Sequence, residues 1–190
     1  MIESTPENMQ RVISAGIIIF RRTKEGIKFL ILYHGRNYWN FPKGKLEAQE
    51  KSWQAAVREV FEETGLQQNE LRFVRGFRTQ ERFVYNQGKQ KIFKIVILYL
   101  AETRQSRVTI ATNEHHEGYG WFTVSEAKRI MGRYPESLKI LTRANEFLHK
   151  QGIRGRSRDP ARRNTHVPRS GAPRRSPPSV SGSGQHPEQK

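Results

Sequence analysis

The sequence predicts one mixed α/β domain with helices packed on a sheet, and three observations carry that reading. Apolar β-branched runs alternate with turn-forming residues, helical spacing is confined to three segments, and the order is strands, helix, strands, helices. That order differs from the regular alternation of βαβ units. A chain of 190 residues suits one domain with a sizeable core and an appendage.

Taken in order, residues 12–20 and 27–33 are β-branched and apolar and flank a polar turn at 21–26, which predicts a strand pair. Residues 51–64 have helical spacing, with Trp53, Ala56, Val57, Val60 and Thr64 on one side, placed to pack against a sheet. Residues 71–85 and 90–102 form a second strand pair around Asn86-Gln87-Gly88, a turn signal. A short strand is expected at 119–123 and a helix at 125–131. The last helix is expected at 136–149, where Leu138, Leu141, Ala144 and Leu148 repeat at threes and fours.

Beyond Arg154 the chain is rich in Arg, Pro, Ser and Gly and nearly lacks large apolar residues, too few to offset the entropy of ordering it. The expected organisation is a flexible N-terminus over residues 1–10, a folded domain over 11–151, and a disordered basic tail over 152–190.

Composition narrows the chemistry. Without cysteine there is no disulfide, thiolate nucleophile or cysteine-based zinc site, so any metal must be held by oxygen or imidazole. The formal charge is +16; from Gln151 to Lys190 there are nine Lys/Arg against two Asp/Glu, a net +7, leaving +9 on residues 1–150. Such a field attracts polyanions, which favours a phosphorylated substrate or nucleic acid. The tail reads either as an RNA-attracting arm or as a solvated segment with a non-specific charge effect. No apolar run approaches the roughly 18 residues needed to span a bilayer. The N-terminus has neither the positive start nor the apolar stretch of a secretory signal, so a cytoplasmic location is expected.

The helix at 51–64 carries the candidate chemistry. At about 100° per residue, Glu59, Glu62 and Glu63 occupy an arc of about 100°, with Arg58 one turn before Glu62. Three adjacent carboxylates repel one another and, near a helix C-terminus, oppose the macrodipole, so a cation should compensate them. Hard divalent cations such as magnesium and manganese prefer such oxygens and bridge to phosphates. The preceding stretch, Trp39-Asn40-Phe41-Pro42-Lys43-Gly44-Lys45-Leu46-Glu47, is a Gly/Pro-punctuated loop with two lysines, able to bring backbone and positive charge close to phosphate.

Read as one string, Gly44, five residues, Glu50, seven residues and Arg58-Glu59-Val60-Phe61-Glu62-Glu63-Thr64-Gly65-Leu66 resembles the motif of the Nudix hydrolases at every fixed position. The resemblance covers about residues 10–150. It implies an α/β/α sandwich with a mixed sheet, and attack of water on a phosphorus of a nucleoside diphosphate linked to another group. It implies further that Glu59, Glu62, Glu63 and the carbonyl of Gly44 hold Mg2+, with Mn2+ possible, and that Glu50 and Arg58 buttress them. Glu59 would combine ligation with proton acceptance. Another carboxylate from a distant loop is expected in the site, Glu114 ahead of Glu117.

Lys43, Lys45, Lys89 and Lys91 are the expected phosphate contacts, and Tyr85, ahead of Phe83, the expected stacking face for a purine. His115 and His116 read as exposed loop residues. Within the family, residues 39–44, 117–122 and 125–127 look most like the asymmetric diadenosine tetraphosphate hydrolases, or bis(5′-nucleosyl)-tetraphosphatases, which yield ATP and AMP. An RNA 5′-pyrophosphohydrolase, a nucleoside triphosphate or nucleotide-sugar hydrolase, and a non-catalytic nucleotide or RNA sensor are the competing readings. The intact Glu59, Glu62 and Glu63 argue against the sensor.

Overall fold

The computed structural model describes residues 9–110 and 116–157, with side chains as far as Gly152. Most of the expected flexible N-terminus and tail lie outside these residues, as do Glu114 and His115. Gln10 already belongs to the first strand.

The strands are β1 (Gln10–Thr23), β2 (Gly26–Tyr33), β3 (Trp39–Asn40), β4 (Lys43–Lys45), β5 (Arg72–Gln87), β6 (Gln90–Glu102) and β7 (Gly118–Phe122). The helices are α1 (Ser52–Thr64), α2 (Val124–Ile130) and α3 (Pro135–Ser157), with a 3-10 turn at Gln68–Glu70. The sheet runs β3-β2-β1-β6-β5, while β4 also pairs with β1 and β7 with β2. Among the described strands only β1 and β6 run parallel, in register from Gln10↔Ile92 to Phe20↔Glu102, so the sheet is mixed as expected.

Both faces of the sheet are covered, which explains why β1 and β2 read as continuous apolar runs. On one face Ile18, Phe20, Phe29, Ile31, Val96 and Leu98 pack under α2 and α3, against Ala127, Leu141, Ala144 and Leu148. On the other, Ala15, Ile17, Ile19, Leu30 and Leu32 pack under α1, against Ala55, Ala56 and Val60. Each fully buried Ile, Leu or Phe stabilises the fold by about 1.5–3 kcal/mol.

One expectation about α1 is corrected. Trp53 does not face the sheet: it is 44% exposed, in line with exposed Phe61, and Ala55 takes the inner position. Two small residues, Ala55 and Ala56, let the helix lie close to β1, where an indole would not fit. The resulting roll also turns Glu59 and Glu63 inward.

The short β3 and β4 have too few residues to show a period, and the sequence reading leaves them as loop. They lodge beside β1 because of Gly16. A Cβ there would lie 2.2 Å from the Pro42 carbonyl oxygen, which accepts a hydrogen bond from the Ile17 N–H at 3.1 Å. The pairs Ser14↔Lys45, Ala15↔Gly44 and Gly16↔Lys43 then fix β4 across β1. At the other end of the domain, α3 continues past residue 149 through the first positions assigned to the tail. Its backbone hydrogen bonding persists beyond Leu148, the last buried apolar residue among those whose side chains are described. Among the described residues no helix is long and apolar enough to cross a membrane.

Candidate active site

Strand β4 lies against the C-terminal half of α1, and glycine makes the contact close. A Cβ on Gly44 would sit 1.9 Å from Cδ of Glu59, so the Glu59 carboxyl rests in the space that a side chain at 44 would fill. The Lys43 N–H donates to Glu63 Oε2 at 2.9 Å.

Arg58 ties the remainder together. Its Nε and Nη2 donate to the two oxygens of Glu50 at 3.1 and 3.0 Å, a bidentate pairing. Nη1 donates to Glu59 Oε1 at 2.9 Å and to Glu62 Oε2 at 2.8 Å. Nη2 also reaches the Lys45 carbonyl at 3.1 Å. One guanidinium thereby joins three carboxylates and β4. Glu50 is fixed additionally by the Glu47 N–H at 3.2 Å.

Burial divides the glutamates. Glu59 and Glu63 are only 8% and 4% exposed, and Glu62 is half-exposed. Burial pushes the Glu59 carboxyl up to about 7; Arg58 opposes this, while Glu63 and Glu62 add to it. The hydrogen bonds from Arg58 hold Glu50 below the usual carboxylate range, and those to Glu50 raise Arg58 above its ordinary value.

Glu59, Glu62 and Glu63 thus stand at one end of α1 beside Gly44, though each is engaged by protein groups. Among the described residues no three His, Asp or Glu side chains converge on one point as a metal cage. The donor chemistry nevertheless fits a hard divalent cation: all donors are oxygens, and the carboxylates of Glu50, Glu59, Glu62 and Glu63 outnumber the single guanidinium among them. Lys45 borders this cleft together with Glu47, Arg58, Glu59 and Glu62.

Behind Glu63 the structure corrects the reading of His116, which is 7% exposed and not a surface residue. Its Nε2 approaches Glu63 Oε1 at 3.0 Å. The two groups are in close approach, but neither ring nitrogen makes an aligned hydrogen bond. His34 packs edge-on against it, ring centroids 4.5 Å apart. Burial, helped by Lys43 and His116, drives His34 down to about 3, so it is neutral at ordinary pH. No periodicity marks these two histidines; strand β7 brings the second to the first, through the Glu117 N–H bond to the Tyr33 carbonyl. Glu117 itself is exposed over Gly35.

A second cleft, about 380 Å³, opens between the β3–β4 segment, the β5–β6 face and the start of α3. Tyr38, Lys43, Glu81, Phe83, Lys94 and Tyr134 line it. The Tyr38 and Tyr134 rings meet edge to face at 4.9 Å, and Asn40 Nδ2 donates to the Tyr38 hydroxyl at 2.7 Å. Lys43 Nζ lies 6.0 Å from the Tyr38 ring centroid. Burial raises the Glu81 carboxyl and lowers the Lys94 ammonium.

Of the predicted contacts, only Lys43 lines this cleft. Lys89 and Lys91 stay at the hairpin end, and Lys94, opposite Phe83 in the β5–β6 register, stands in the cleft instead. Phe83, 39% exposed, lines it; Tyr85 does not, its ring lying 6.1 Å from that of Phe83. Tyr38, Glu81, Lys94 and Tyr134 also line the cleft and are not among the residues that the sequence singles out. Strand alternation from Phe83 points back to Glu81, but Lys94 needs the cross-strand register and Tyr134 needs the packing of α3.

Comparison with known proteins agrees with this geometry. The NUDIX domain family matches residues 10–143. The asymmetrical bis(5′-nucleosyl)-tetraphosphatase of Mus musculus is 32% identical over 143 residues, covering 71% of this chain and 94% of that one. A solved C. elegans Ap4A hydrolase binary complex superposes with a TM-score of 0.62 at 28% identity, covering 73% of this chain and 98% of that one. The RNA pyrophosphohydrolase of Edwardsiella ictaluri (strain 93-146) is 34% identical over 70 residues, 37% of this chain and 38% of that one. With its motif helix, mixed sheet and two helical layers, the chain belongs to the Nudix hydrolase family.

Proposed function

We propose that the chain hydrolyses a phosphoric anhydride within a dinucleoside polyphosphate, with diadenosine tetraphosphate to ATP and AMP as the reference reaction. The observation that carries this reading is the double engagement of Lys43. Its side chain lines the aromatic cleft while its backbone N–H is held by Glu63. A base seated among Tyr38, Phe83 and Tyr134 can therefore extend its phosphates past Lys94 and Lys43 toward the α1 glutamates without leaving the protein surface. The similarity to asymmetrical bis(5′-nucleosyl)-tetraphosphatases supports the same substrate class.

In this reading Glu59, Glu62, Glu63 and the Gly44 carbonyl would hold Mg2+, with Mn2+ as the alternative, which when bound would supply charge neutralisation and an activated water. Arg58 and Glu50 orient Glu59 and Glu62. Glu59, seated against Gly44 beside the other carboxylates, would accept the proton lost by the attacking water. Lys43 and Lys94 offset phosphate charge, with Lys45, Lys89 and Lys91 acting more peripherally. Glu114 remains the candidate second carboxylate.

A second reading, RNA 5′-pyrophosphohydrolase, is favoured by the +16 charge and the 70-residue similarity above. Product analysis with magnesium separates them, offering diadenosine tetraphosphate, 5′-triphosphorylated RNA, nucleoside triphosphates and ADP-ribose side by side. ATP plus AMP from the dinucleotide, with the others much slower, is the expected outcome. Pyrophosphate or phosphate released from RNA ends would favour the second reading, and inactivity toward all four would overturn both.

A further inference from the structure

The cleft is lined by two carboxylates: Glu136, which is exposed and paired with Lys139 at 2.6 Å, and Glu81, which phosphate binding does not explain. Tyr38, Phe83 and Tyr134 offer ring faces and edges to a base, and Lys43 and Lys94 offer charge to phosphates. Glu81 does neither: a carboxylate repels a polyphosphate, and this one is half-buried in the same wall. Its pairing is also incomplete. Oε1 accepts a hydrogen bond from the Ser137 hydroxyl at 3.3 Å. Among the described residues no other hydrogen bond or ion pair reaches Glu81, and both lysines act on it only at longer range.

Position then suggests what completes it. Glu81 and Phe83 are two residues apart on β5, so both side chains leave the same face of the strand about 7 Å apart. The partners Val96 and Lys94 confirm that face as the one toward α3. A base stacked on the Phe83 ring would therefore have the Glu81 carboxylate within reach of one of its edges.

Resting on the dinucleoside reading above, we propose that Glu81 selects the base: its two oxygens receive N1–H and the N2 amino group of guanine, so a guanine nucleotide is preferred over an adenine one. Guanine presents two adjacent donors on that edge, which match a carboxylate in a charge-assisted, bidentate pairing. Adenine presents one donor beside a lone pair, which would face a carboxylate oxygen. Cytosine has the same mismatch, and uracil has a single donor between two carbonyls. The oxygen already bound by Ser137 keeps a second lone pair for the base.

The test compares bis(5′-guanosyl) tetraphosphate with diadenosine tetraphosphate, using the full chain and its Glu81→Gln variant with magnesium. GDP and ADP affinities are measured on the same samples. Wild type should prefer guanine by about tenfold in both kcat/KM and Kd. A glutamine offers one acceptor and one donor, the complement of the adenine edge, so Glu81→Gln should shift the ratio toward adenine with little change in melting temperature. Equal use of both bases by wild type would overturn the proposal while leaving the hydrolase reading intact. So would an equal loss on both substrates with a lowered melting temperature, which would mark Glu81 as a support for Ser137. If neither dinucleotide is cleaved, the hydrolase reading fails, and the GDP and ADP affinities alone decide on Glu81.

Discussion

Replacing Gly44 by alanine should separate the site from the fold. The new Cβ would lie 1.9 Å from Glu59 Cδ and from one of its oxygens, whereas ordinary contact begins near 3.4 Å. The carboxyl must therefore move by about 1.5 Å. It can, because it ends a flexible side chain, and the nearest atoms to the new methyl are those of Glu59 and not backbone. Stability should change little. Activity should not survive so well, since misplacing a reacting or ligating group by about 1 Å costs on the order of 10²-fold. The expected result for Gly44→Ala is a fall in kcat/KM of about 10²-fold with a melting temperature within a few degrees of wild type. Magnesium titration followed by thermal melting should show weakened protection as well. A variant that keeps activity within threefold of wild type would refute the claim that Glu59 acts from its place against β4.

Gly16→Ala should do the opposite, because its Cβ meets the Pro42 carbonyl at 2.2 Å and Lys43 Cα at 2.9 Å. Backbone must move, so a loss of about 1–3 kcal/mol in denaturant unfolding is expected. Glu62→Gln and Glu63→Gln should each lower turnover by about two orders of magnitude with the circular dichroism spectrum unchanged; unaltered turnover would remove the metal assignment. The Glu59 carboxyl, raised from 4.5 to about 7 chiefly by burial, binds its proton more tightly in the folded state. Its stabilising contribution is full below about 4.5 and lost as the pH climbs through about 7. Melting in EDTA should therefore drop across that window, and magnesium at pH 8 should restore part of the loss; a flat profile in EDTA would count against it.

How far the site was legible depends on how far apart its parts lie in the chain. Glu59, Glu62, Glu63 and Arg58 share one helix, where spacing alone sets their directions, and Gly44 and Glu50 belong to the same motif. The other strands and helices were visible in outline for the same reason, each having its own period. Trp53 misled because hydrophobicity alone does not say which of two neighbouring stripes is narrow enough for the sheet. Lys94 and Glu81 depended on the β5–β6 register, and Tyr134 on how α3 docks across it. His116 looked solvated beside its polar neighbours, but its burial comes from His34 and Glu63, far away in sequence.

The parallel pairing of β1 with β6 has a kinetic consequence. Every pair in that ladder joins residues 82 apart, from Gln10↔Ile92 to Phe20↔Glu102. The whole glutamate motif, from Gly44 to Leu66, lies inside the loop so closed. Closing a loop of that size costs about 4 kcal/mol in chain entropy before any native contact offsets it. The refolding chain should therefore have α1 formed as a helix well before it has a working site, with recovery of activity lagging behind recovery of helicity.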